Sequence, residues 1–391
     1  MSTEKLYDSS PYETEFEATV LEITPAGDGL CNVILDRTLF FPEEGGQSPD
    51  TGLLGGYAVT YVSIKDETIT HTIRCDAPDL KEGSSVKGSI DWPHRFSNMQ
   101  NHSGEHILSG LLHTGWDSDN VGFHLSDNTV TLDTSRELTE EDLKKLEAEA
   151  NHAIYRDLPV TCRYYTPSEA AGIDYRSKKE FTGDVRLVTI PGVDICACCA
   201  PHVSRTGEIG IIKIIKAIKY KGGMRLTILS GARAYHYLAS IQSTADTLSH
   251  LLSESIDTLP DAVNRLLDDN NSLKIKIKNI SRARLEADIA ALPEDTKAPI
   301  LFTDALDNVV QRNAVNELTA SHSGICAVFA SDDKGGYNYI CAYPGGDART
   351  VSSLLHEKLN ARGGGSEAMV QGNVASSEAE IRALLDSIIE K

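Results

Sequence analysis

Two pairs of metal-binding side chains share one spacing in this sequence. His102 and His106 are four residues apart, and residues at i and i+4 lie on one face of a helix, so both imidazoles can reach the same ion. Later in the chain, Cys198 and His202 repeat the spacing. Imidazole nitrogens together with a thiolate suit Zn²⁺ better than cations that prefer oxygen ligands. We therefore predict one zinc ion per chain, held by these four residues.

The cysteine content supports a metal site. Eight cysteines in 391 residues are too few for a disulfide scaffold, and three of them crowd into the segment 196–199 just before His202. Such a cluster is typical of metal binding in a chain that is poor in disulfides. Two alternatives stay open: Cys196 or Cys199 in place of Cys198, and water in place of His202.

A competing motif uses the same histidines. Residues 102–106 read H-S-G-E-H, which is the inverted zincin pattern H-x-x-E-H of metallopeptidases. In that interpretation Glu105 is the general base and Glu180 supplies the acidic ligand. It leaves Cys198 and His202 without a role, so we treat it as the weaker hypothesis.

The surrounding elements are of mixed type. Residues 12–92 alternate in the manner of strands, which predicts a β-rich module. A helical stripe follows at 99–115, closed by Gly115, and acidic residues open a second helix at 139–157. Strand patterns resume at 185–231. The sequence thus predicts an α+β fold, with a zinc-containing α+β domain following the β-rich module.

Beyond Gly231 the pattern becomes helical and then mixed. A helix that starts at Pro260 carries apolar residues at alternating spacings of three and four, as in a coiled-coil or helical-hairpin arm; a helix packed on its own domain is the alternative. From Pro299 a small α/β unit appears, with a Gly363–Gly365 loop. We predict four parts: 1–92 (β-rich module), 93–232 (zinc domain), 233–298 (helical arm) and 299–391 (α/β domain).

Charge and hydropathy exclude several classes of protein. The chain has 37 Lys and Arg against 57 Asp and Glu, a net charge of −20, which argues against a polyanion binder held by bulk charge. Any nucleic-acid contact must therefore come from local basic patches, such as the seven cations between Arg205 and Tyr235. No apolar stretch reaches the ~18 residues of a membrane span, and we expect a cytoplasmic protein.

Two longer motifs carry a family resemblance. Phe40–Gly52 reads F-F-P-E-E-G-G-Q-S-P-D-T-G, which resembles the F-Y-P-x-x-G-G-Q-x-x-D-x-G segment of the alanyl-tRNA synthetase editing domain and of the free-standing alanyl-tRNA editing proteins. Residues 91–106 resemble that family's D-W-x-x-R-x-x-x-M-x-x-H-x-x-x-H helix, and 198–202 its C-x-x-x-H segment. Here the last segment reads C-C-A-P-H, where the family usually has C-G-G-x-H.

The end of the chain continues the resemblance. Residues 363–372, G-G-G-S-E-A-M-V-Q-G, resemble the glycine-rich loop of the DHHA1 domain that ends the long free-standing forms. The Asp-His-His metal centre of phosphoesterases that share this domain is absent from the sequence, so a nuclease is not expected. The resemblance therefore spans the chain in order.

The resemblance implies a function. It implies a zinc-dependent hydrolase that deacylates mischarged tRNA(Ala), cleaving the ester of serine or glycine. It implies a DHHA1-like tRNA-binding or dimerisation domain at 299–391, with a possible homodimer through this domain and the arm. The alternative from another class is a zinc-stabilised tRNA-binding module without turnover. The expected catalytic residues are Gln47 and Thr38, and the expected substrate-binding residues are Thr38, Gly45, Gly46, Gln47, Gly363, Gly364 and Gly365.

Overall fold

The computed structural model describes residues 2–75, 77–177, 179, 182–332 and 334–389. The chain divides into two compact units, Met1–Ala245 and Asp246–Lys391. Helices and strands both contribute extensively to each unit, which confirms the α+β class in general terms. Among the described helices, none combines the length and the apolar composition that crossing a membrane requires.

A closed six-stranded barrel forms the first part of the first unit. The barrel order is β2-β3-β7-β6-β5-β8, and neighbouring strands are antiparallel. Alternate side chains point inward, as strand geometry requires; in β7 they are Ile69, His71 and Ile73. The elements up to residue 90 are β1 (Glu4–Lys5), α1 (Leu6–Ser9), β2 (Glu15–Gly27), β3 (Leu30–Leu35), β4 (Arg37–Thr38), β5 (Gly52–Leu54), β6 (Tyr57–Lys65), β7 (Thr68–Arg74) and β8 (Ser85–Ile90).

A long helix and two sheets complete this unit. The sheet orders are β14-β15-β10-β9 and β11-β12-β13. Apolar side chains of the long helix α2, such as Ile107 and Leu108, share one core with Leu226 and Ile228 of β15. The elements are α2 (Trp92–Trp116), β9 (Asn120–Leu125), β10 (Val130–Thr134), α3 (Glu140–Tyr155), β11 (Thr161–Tyr165), α4 (Pro167–Ala170), β12 (Val185–Ile190), β13 (Asp194–Ala197), a 3₁₀ turn (Thr206–Ile209), β14 (Ile212–Tyr220) and β15 (Gly223–Ser230).

The ends of α2 differ from the sequence prediction. The helix begins earlier than expected, because Asp91 caps it by accepting a hydrogen bond from His94 N at 3.3 Å, and a proline lies in the first turn. Gly115 does not close it. The helix continues to Trp116 and ends at Asp117, which adopts the left-handed conformation with φ of 48°.

The second unit contains a mixed five-stranded sheet in the order β16-β17-β18-β20-β19. The predicted Gly363–Gly365 loop is in fact an edge strand, β19, paired with β20, because glycines 363 and 365 allow the two backbones to approach closely. Helix α5 (Gly231–Leu252) crosses the unit boundary. The remaining elements are a 3₁₀ turn (Ile256–Thr258), α6 (Leu259–Ala290), β16 (Ile300–Thr303), α7 (Asn308–Ser321), β17 (Cys326–Ser331), β18 (Tyr337–Ala342), α8 (Ala348–Leu359), β19 (Arg362–Gly365), β20 (Met369–Val374) and α9 (Glu378–Ile389).

Candidate metal centre

Four side chains converge where α2 meets the loop after β13. One ligand atom from each of His102, His106, Cys198 and His202 lies within 4.8 Å of the others. Cys198 Sγ lies 3.6 Å from His102 Nε2 and 3.4 Å from His202 Nε2. Tetrahedral Zn²⁺ with ordinary Zn–N and Zn–S bond lengths separates a nitrogen and a sulfur ligand by about 3.5 Å. The donor set and its spacing therefore fit a zinc ion.

The four ligand candidates come from two different kinds of backbone. His102 and His106 lie one turn apart on the buried face of α2, and their ring centroids are 5.5 Å apart. Cys198 and His202 lie in an irregular loop rather than a helix. Arg186 holds this loop, since its guanidinium donates to the carbonyl oxygens of Cys198 at 2.9 Å and Ala200 at 3.0 Å.

Each imidazole has a partner on its Nδ1 atom. Nδ1 of His102 lies 2.8 Å from Gln47 Oε1, and Nδ1 of His202 lies 3.0 Å from Ser103 Oγ. Nδ1 of His106 lies 2.9 Å from a carboxylate oxygen of Asp194. An amide oxygen and a carboxylate can only accept, so the Nδ1 atoms of His102 and His106 carry the proton and Nε2 is the nitrogen suited to a metal.

Asp194 is itself fixed by a second residue. Arg176 makes two hydrogen bonds to its carboxylate, at 2.8 and 2.9 Å. Burial opposes ionisation of Asp194, but the hydrogen bonds from His106 and Arg176 outweigh it and lower the pKa of Asp194. The carboxylate therefore stays charged and orients His106.

Burial shifts both ligand candidates of the loop toward their neutral forms. It raises the pKa of the Cys198 thiol well above its ordinary value and lowers that of His202 well below. A buried thiol and a neutral imidazole are the protonation states expected without a cation. A zinc ion deprotonates a thiol that coordinates it. A bound metal would therefore stabilise the Cys198 thiolate, which burial alone disfavours.

A glycine turn brings Gln47 to the cluster. Leu125 N donates to Gly46 O at 2.6 Å, and Ser48 N donates to Leu125 O at 2.8 Å, so the turn is joined to β9. A Cβ on Gly46 would lie 2.5 Å from Phe123 O, and its φ is 83°, so only glycine allows this approach. The turn thus leaves Gln47 fully buried and bonded to His102.

A buried ion pair anchors the same segment to α2. Arg95 and Asp50 are both fully buried, and Arg95 Nε donates to Asp50 at 3.0 Å. The Arg95 guanidinium also donates to Leu39 O, and Phe41 N donates to Asp50 at 2.6 Å. Breaking a buried pair by removing one partner costs roughly 3–5 kcal/mol. These two motif residues therefore have a structural role: they hold the Gln47 segment against the helix that carries the histidines.

Thr38 lies beside His71 in the barrel. His71 Nδ1 lies 3.1 Å from Val33 O, which can only accept, so His71 Nε2 accepts from Thr38 Oγ1 at 2.8 Å. Thr38 Oγ1 also accepts from Phe40 N at 3.0 Å. Burial lowers the pKa of His71 to about 4, so it stays neutral near pH 7. Thr38 is fully buried, and its assignment to the substrate stays a prediction.

The predicted glycines occupy separate places. Gly45 faces Cys199, since a Cβ on Gly45 would lie 3.4 Å from Cys199 Sγ. Gly46 packs on β9, as described above. Gly363, Gly364 and Gly365 belong to the second unit.

The rival residues lie elsewhere. Glu105 is buried, but its carboxylate accepts from Ser109 Oγ and from Asn120 Nδ2 and is not among the ligand atoms of the cluster. Glu180 lies outside the described residues. Cys196 groups with His106 and Asp194, whereas Cys199 contacts the glycine turn. Of the three clustered cysteines, it is Cys198 that lies with all three histidines.

Comparison with known proteins shows which families and proteins this chain resembles. The model described as "Threonyl and Alanyl tRNA synthetase second additional domain" matches residues 185–226, and "tRNA synthetases class II (A)" matches residues 8–94. Alanyl-tRNA editing protein AlaX-L of Pyrococcus horikoshii is 28% identical, over 99% of this chain and 98% of its own length. The chain is thus similar to the free-standing alanyl-tRNA editing proteins over nearly its whole length.

Two further relatives show how much of each protein the similarity covers. Alanyl-tRNA editing protein Aarsd1 of Danio rerio is 28% identical over 96% of this chain and 95% of its own length. Alanine–tRNA ligase of Methanoregula boonei is 31% identical over 95% of this chain but only 41% of the ligase. The chain thus matches the free-standing editing proteins over nearly their full length, whereas it matches less than half of the ligase.

Sequence reasoning missed the partners of the histidines. Asp194, Arg176 and Ser103 have no motif spacing relative to the residues that they orient. The available signal was proximity to a ligand candidate: Ser103 directly follows His102, and Asp194 lies four residues before Cys198.

Proposed function

We propose that this chain is a zinc-dependent hydrolase that removes serine or glycine from mischarged tRNA(Ala). The observation that carries the proposal is the cluster of three imidazoles and one thiol, with Gln47 hydrogen-bonded to one of its histidines. The tRNA substrate is proposed from the similarity to alanyl-tRNA editing proteins. An aminoacyl ester is an activated carbonyl, so the site needs only to orient the ester and supply a water nucleophile.

His102, His106, Cys198 and His202 would hold the zinc ion. A zinc ion in such a site lowers the pKa of bound water to about 7 or polarises a carbonyl oxygen. In the overall reaction, water adds to the ester carbonyl, the bond to the ribose oxygen breaks, and that oxygen takes a proton. The products are the free amino acid and a tRNA with its terminal hydroxyl restored.

Gln47 would act on the reacting group. Its Oε1 lies within hydrogen-bond distance of His102 Nδ1, and its buried Nε2 has no hydrogen-bond partner among the described residues. A buried donor without a partner costs about 1–3 kcal/mol, which a substrate oxygen would recover by accepting from it. Gln47 Nε2 is therefore suited to donate to the ester carbonyl.

A second candidate function uses the same residues. Four protein ligands complete a tetrahedral shell, as in structural zinc sites, so hydrolysis requires one exchangeable position. If no position exchanges, the protein is a zinc-stabilised tRNA-binding module without turnover.

The second unit would bind the tRNA. The helical arm at 233–298 would join two chains in a homodimer. Val263, Leu266, Leu273, Ile277 and Ile280 of α6 are all between 44% and 68% exposed, although they form the predicted apolar seam. Further along α6, Leu285 is buried in the core of the second unit. The seam itself therefore stays exposed although parts of the helix are buried, and a homodimer would bury it.

The basic run between Arg205 and Tyr235 contributes less to tRNA binding than its composition indicates. Arg205, Lys213, Lys219 and Arg225 each form an ion pair with an acidic residue of the same unit. This pairing reduces the positive potential available to phosphates.

We propose a cytoplasmic location, where aminoacylated tRNA is used.

One assay tests the proposal. Zinc-loaded protein is incubated with Ser-tRNA, Gly-tRNA and Ala-tRNA, all made on tRNA(Ala), and release of the amino acid is followed. We expect release of serine or glycine and little release of alanine. Tight binding of all three without release would instead support the tRNA-binding module.

A further inference from the structure

A cavity of about 520 Å³ lies beside the candidate metal centre. It is formed by the segment that contains the glycine turn, by Tyr61 of β6 and by His124 near the end of β9. Gln47 lines it and also contacts His102, so the cavity and the metal centre share a wall. The volume lies within the range of about 300–1,000 Å³ that is usual for small-ligand sites.

The cavity is acidic. Glu43 and Glu44 both line it, and no lysine or arginine is found among its described lining residues. Glu43 accepts a hydrogen bond from Tyr61 Oη, and Glu44 accepts one from the Cys199 thiol. Neither carboxylate forms an ion pair with a cation of the described chain. Such a cavity repels phosphate and favours a cationic group.

One wall of the cavity carries a buried donor that lacks a partner. Gln47 is fully buried, and its Nε2 has no hydrogen-bond partner among the described residues. Reversing the amide would remove this donor, but at the expense of the proton arrangement that suits a metal at His102. With Nε2 turned toward His102, the His102 Nδ1 atom would have to accept, and its proton would move to Nε2, the nitrogen that faces Cys198. The hydroxyl of Ser48, also in the lining, is without a partner in the described structure.

These features specify the chemistry of a ligand. It must bring a positive charge to the two carboxylates and an acceptor oxygen to Gln47. An α-amino ester has both, with its ammonium and carbonyl groups on adjacent carbons. A metal ion is a poorer occupant, because the two close groups of described His, Cys, Asp and Glu ligands include neither glutamate.

We propose that Glu43 and Glu44 bind the α-ammonium group of the aminoacyl ester. The site therefore selects esters with a free amino group and rejects N-acylated esters, such as a peptidyl-tRNA. This inference rests on the proposed function for the identity of the ester. Glu43 and Glu44 determine specificity here and take no part in breaking the bond.

Binding of a probe that cannot be hydrolysed tests the inference directly. The probe is 3′-deoxy-3′-(L-serylamino)adenosine, compared with its N-acetyl derivative by calorimetry on the full chain. The variants are Glu43→Gln, Glu44→Gln and the double variant, with Glu82→Gln in an exposed turn as the matched control. Zinc content and Tm are measured for each variant, so that misfolding or metal loss is recognised.

We expect the wild type and the control to prefer the free amine by about tenfold or more, which is the usual scale for a charge-assisted hydrogen bond. The preference should fall toward one in the double variant. Equal binding of both probes by the wild type, or a double variant that is folded and retains the preference, would overturn the inference.

A parallel deacylation assay separates the two proposals. Seryl-tRNA and N-acetylseryl-tRNA are compared as substrates. The wild type could hydrolyse neither seryl-tRNA nor N-acetylseryl-tRNA and still prefer the free-amine probe. The proposed function would then fail, whereas binding of the ammonium group by Glu43 and Glu44 would stand. If the wild type hydrolyses both at equal rates and binds both probes equally, the inference fails and the proposed function stands.

Discussion

The side-chain oxygen of Gln47 lies 2.8 Å from Nδ1 of His102, across 55 residues of sequence. Gln47 therefore has two separable roles, an acceptor that orients a ligand candidate and a buried donor that faces no protein group among the described residues. Substitutions at this residue can distinguish them.

Gln47→Glu retains an acceptor for His102 and removes the donor, whereas Gln47→Ala removes both. We expect Gln47→Ala to weaken zinc binding by about 10–100-fold, the usual effect of losing a partner of a metal-bound histidine. Gln47→Glu should retain zinc but lose deacylation. Zinc affinity is measured by competition with a chelator. Equal zinc affinity in the two variants would contradict the orienting role.

Purified protein should contain about one zinc ion per chain. The double variant His102→Ala, His106→Ala should lose it, because two of four ligands are removed. Exposed His113 on the same helix provides the control, and His113→Ala should keep its zinc. Elemental analysis measures all three proteins. Zinc retained in full by the double variant would show that the metal lies elsewhere.

Cys198 and Glu105 distinguish an editing site from an inverted zincin. Cys198→Ala should lose zinc affinity and deacylation together, because the thiolate is a ligand. Glu105→Gln should retain zinc and most activity, since this carboxylate contacts Ser109 and Asn120. Serine release is measured at saturating zinc. An inactive, zinc-replete Glu105→Gln beside a fully active Cys198→Ala would reverse the assignment.

Gly56 provides a matched control for a substitution of Gly46 in the glycine turn. Both have positive φ, 83° and 86°, so alanine at either position incurs a backbone cost of about 1–2 kcal/mol. Only at Gly46 would the new Cβ also meet a backbone oxygen, whereas nothing lies within 4 Å at Gly56. We expect Gly46→Ala to lower the free energy of unfolding by about 1–3 kcal/mol more than Gly56→Ala and to reduce activity. Urea titrations that show equal losses would exclude a packing requirement at the turn.

Removal of the second unit tests its role in binding tRNA. A chain ending at Ala245, the boundary of the first compact unit, should still hydrolyse substrate at high concentration but with weaker apparent affinity. Loss of phosphate contacts should also flatten the dependence of affinity on salt concentration. Binding is measured at several salt concentrations against the full chain. If the truncated chain has the same affinity for tRNA and the same dependence of affinity on salt concentration as the full chain, the second unit does not bind the tRNA.

The local parts of this protein were predictable from its sequence. The spacing of His102 and His106 places both on one helix face, since helix geometry relates residues four apart without any tertiary contact. The motifs around Gly46 and Cys198 indicated the resemblance to alanyl-tRNA editing proteins, which the comparisons confirm. Strand alternation predicted most barrel strands, because period two is a property of each strand alone.

Tertiary structure alone decided the rest. Three features depend on contacts between distant segments: closure of the barrel, the pairing of Gly363–Gly365 as an edge strand, and the position of Cys198 beside all three histidines. The same is true of the proton on each histidine, which Gln47 and Asp194 determine from other parts of the chain. A hydrogen bond requires its two atoms within about 3 Å, and only the folded chain brings such partners that close.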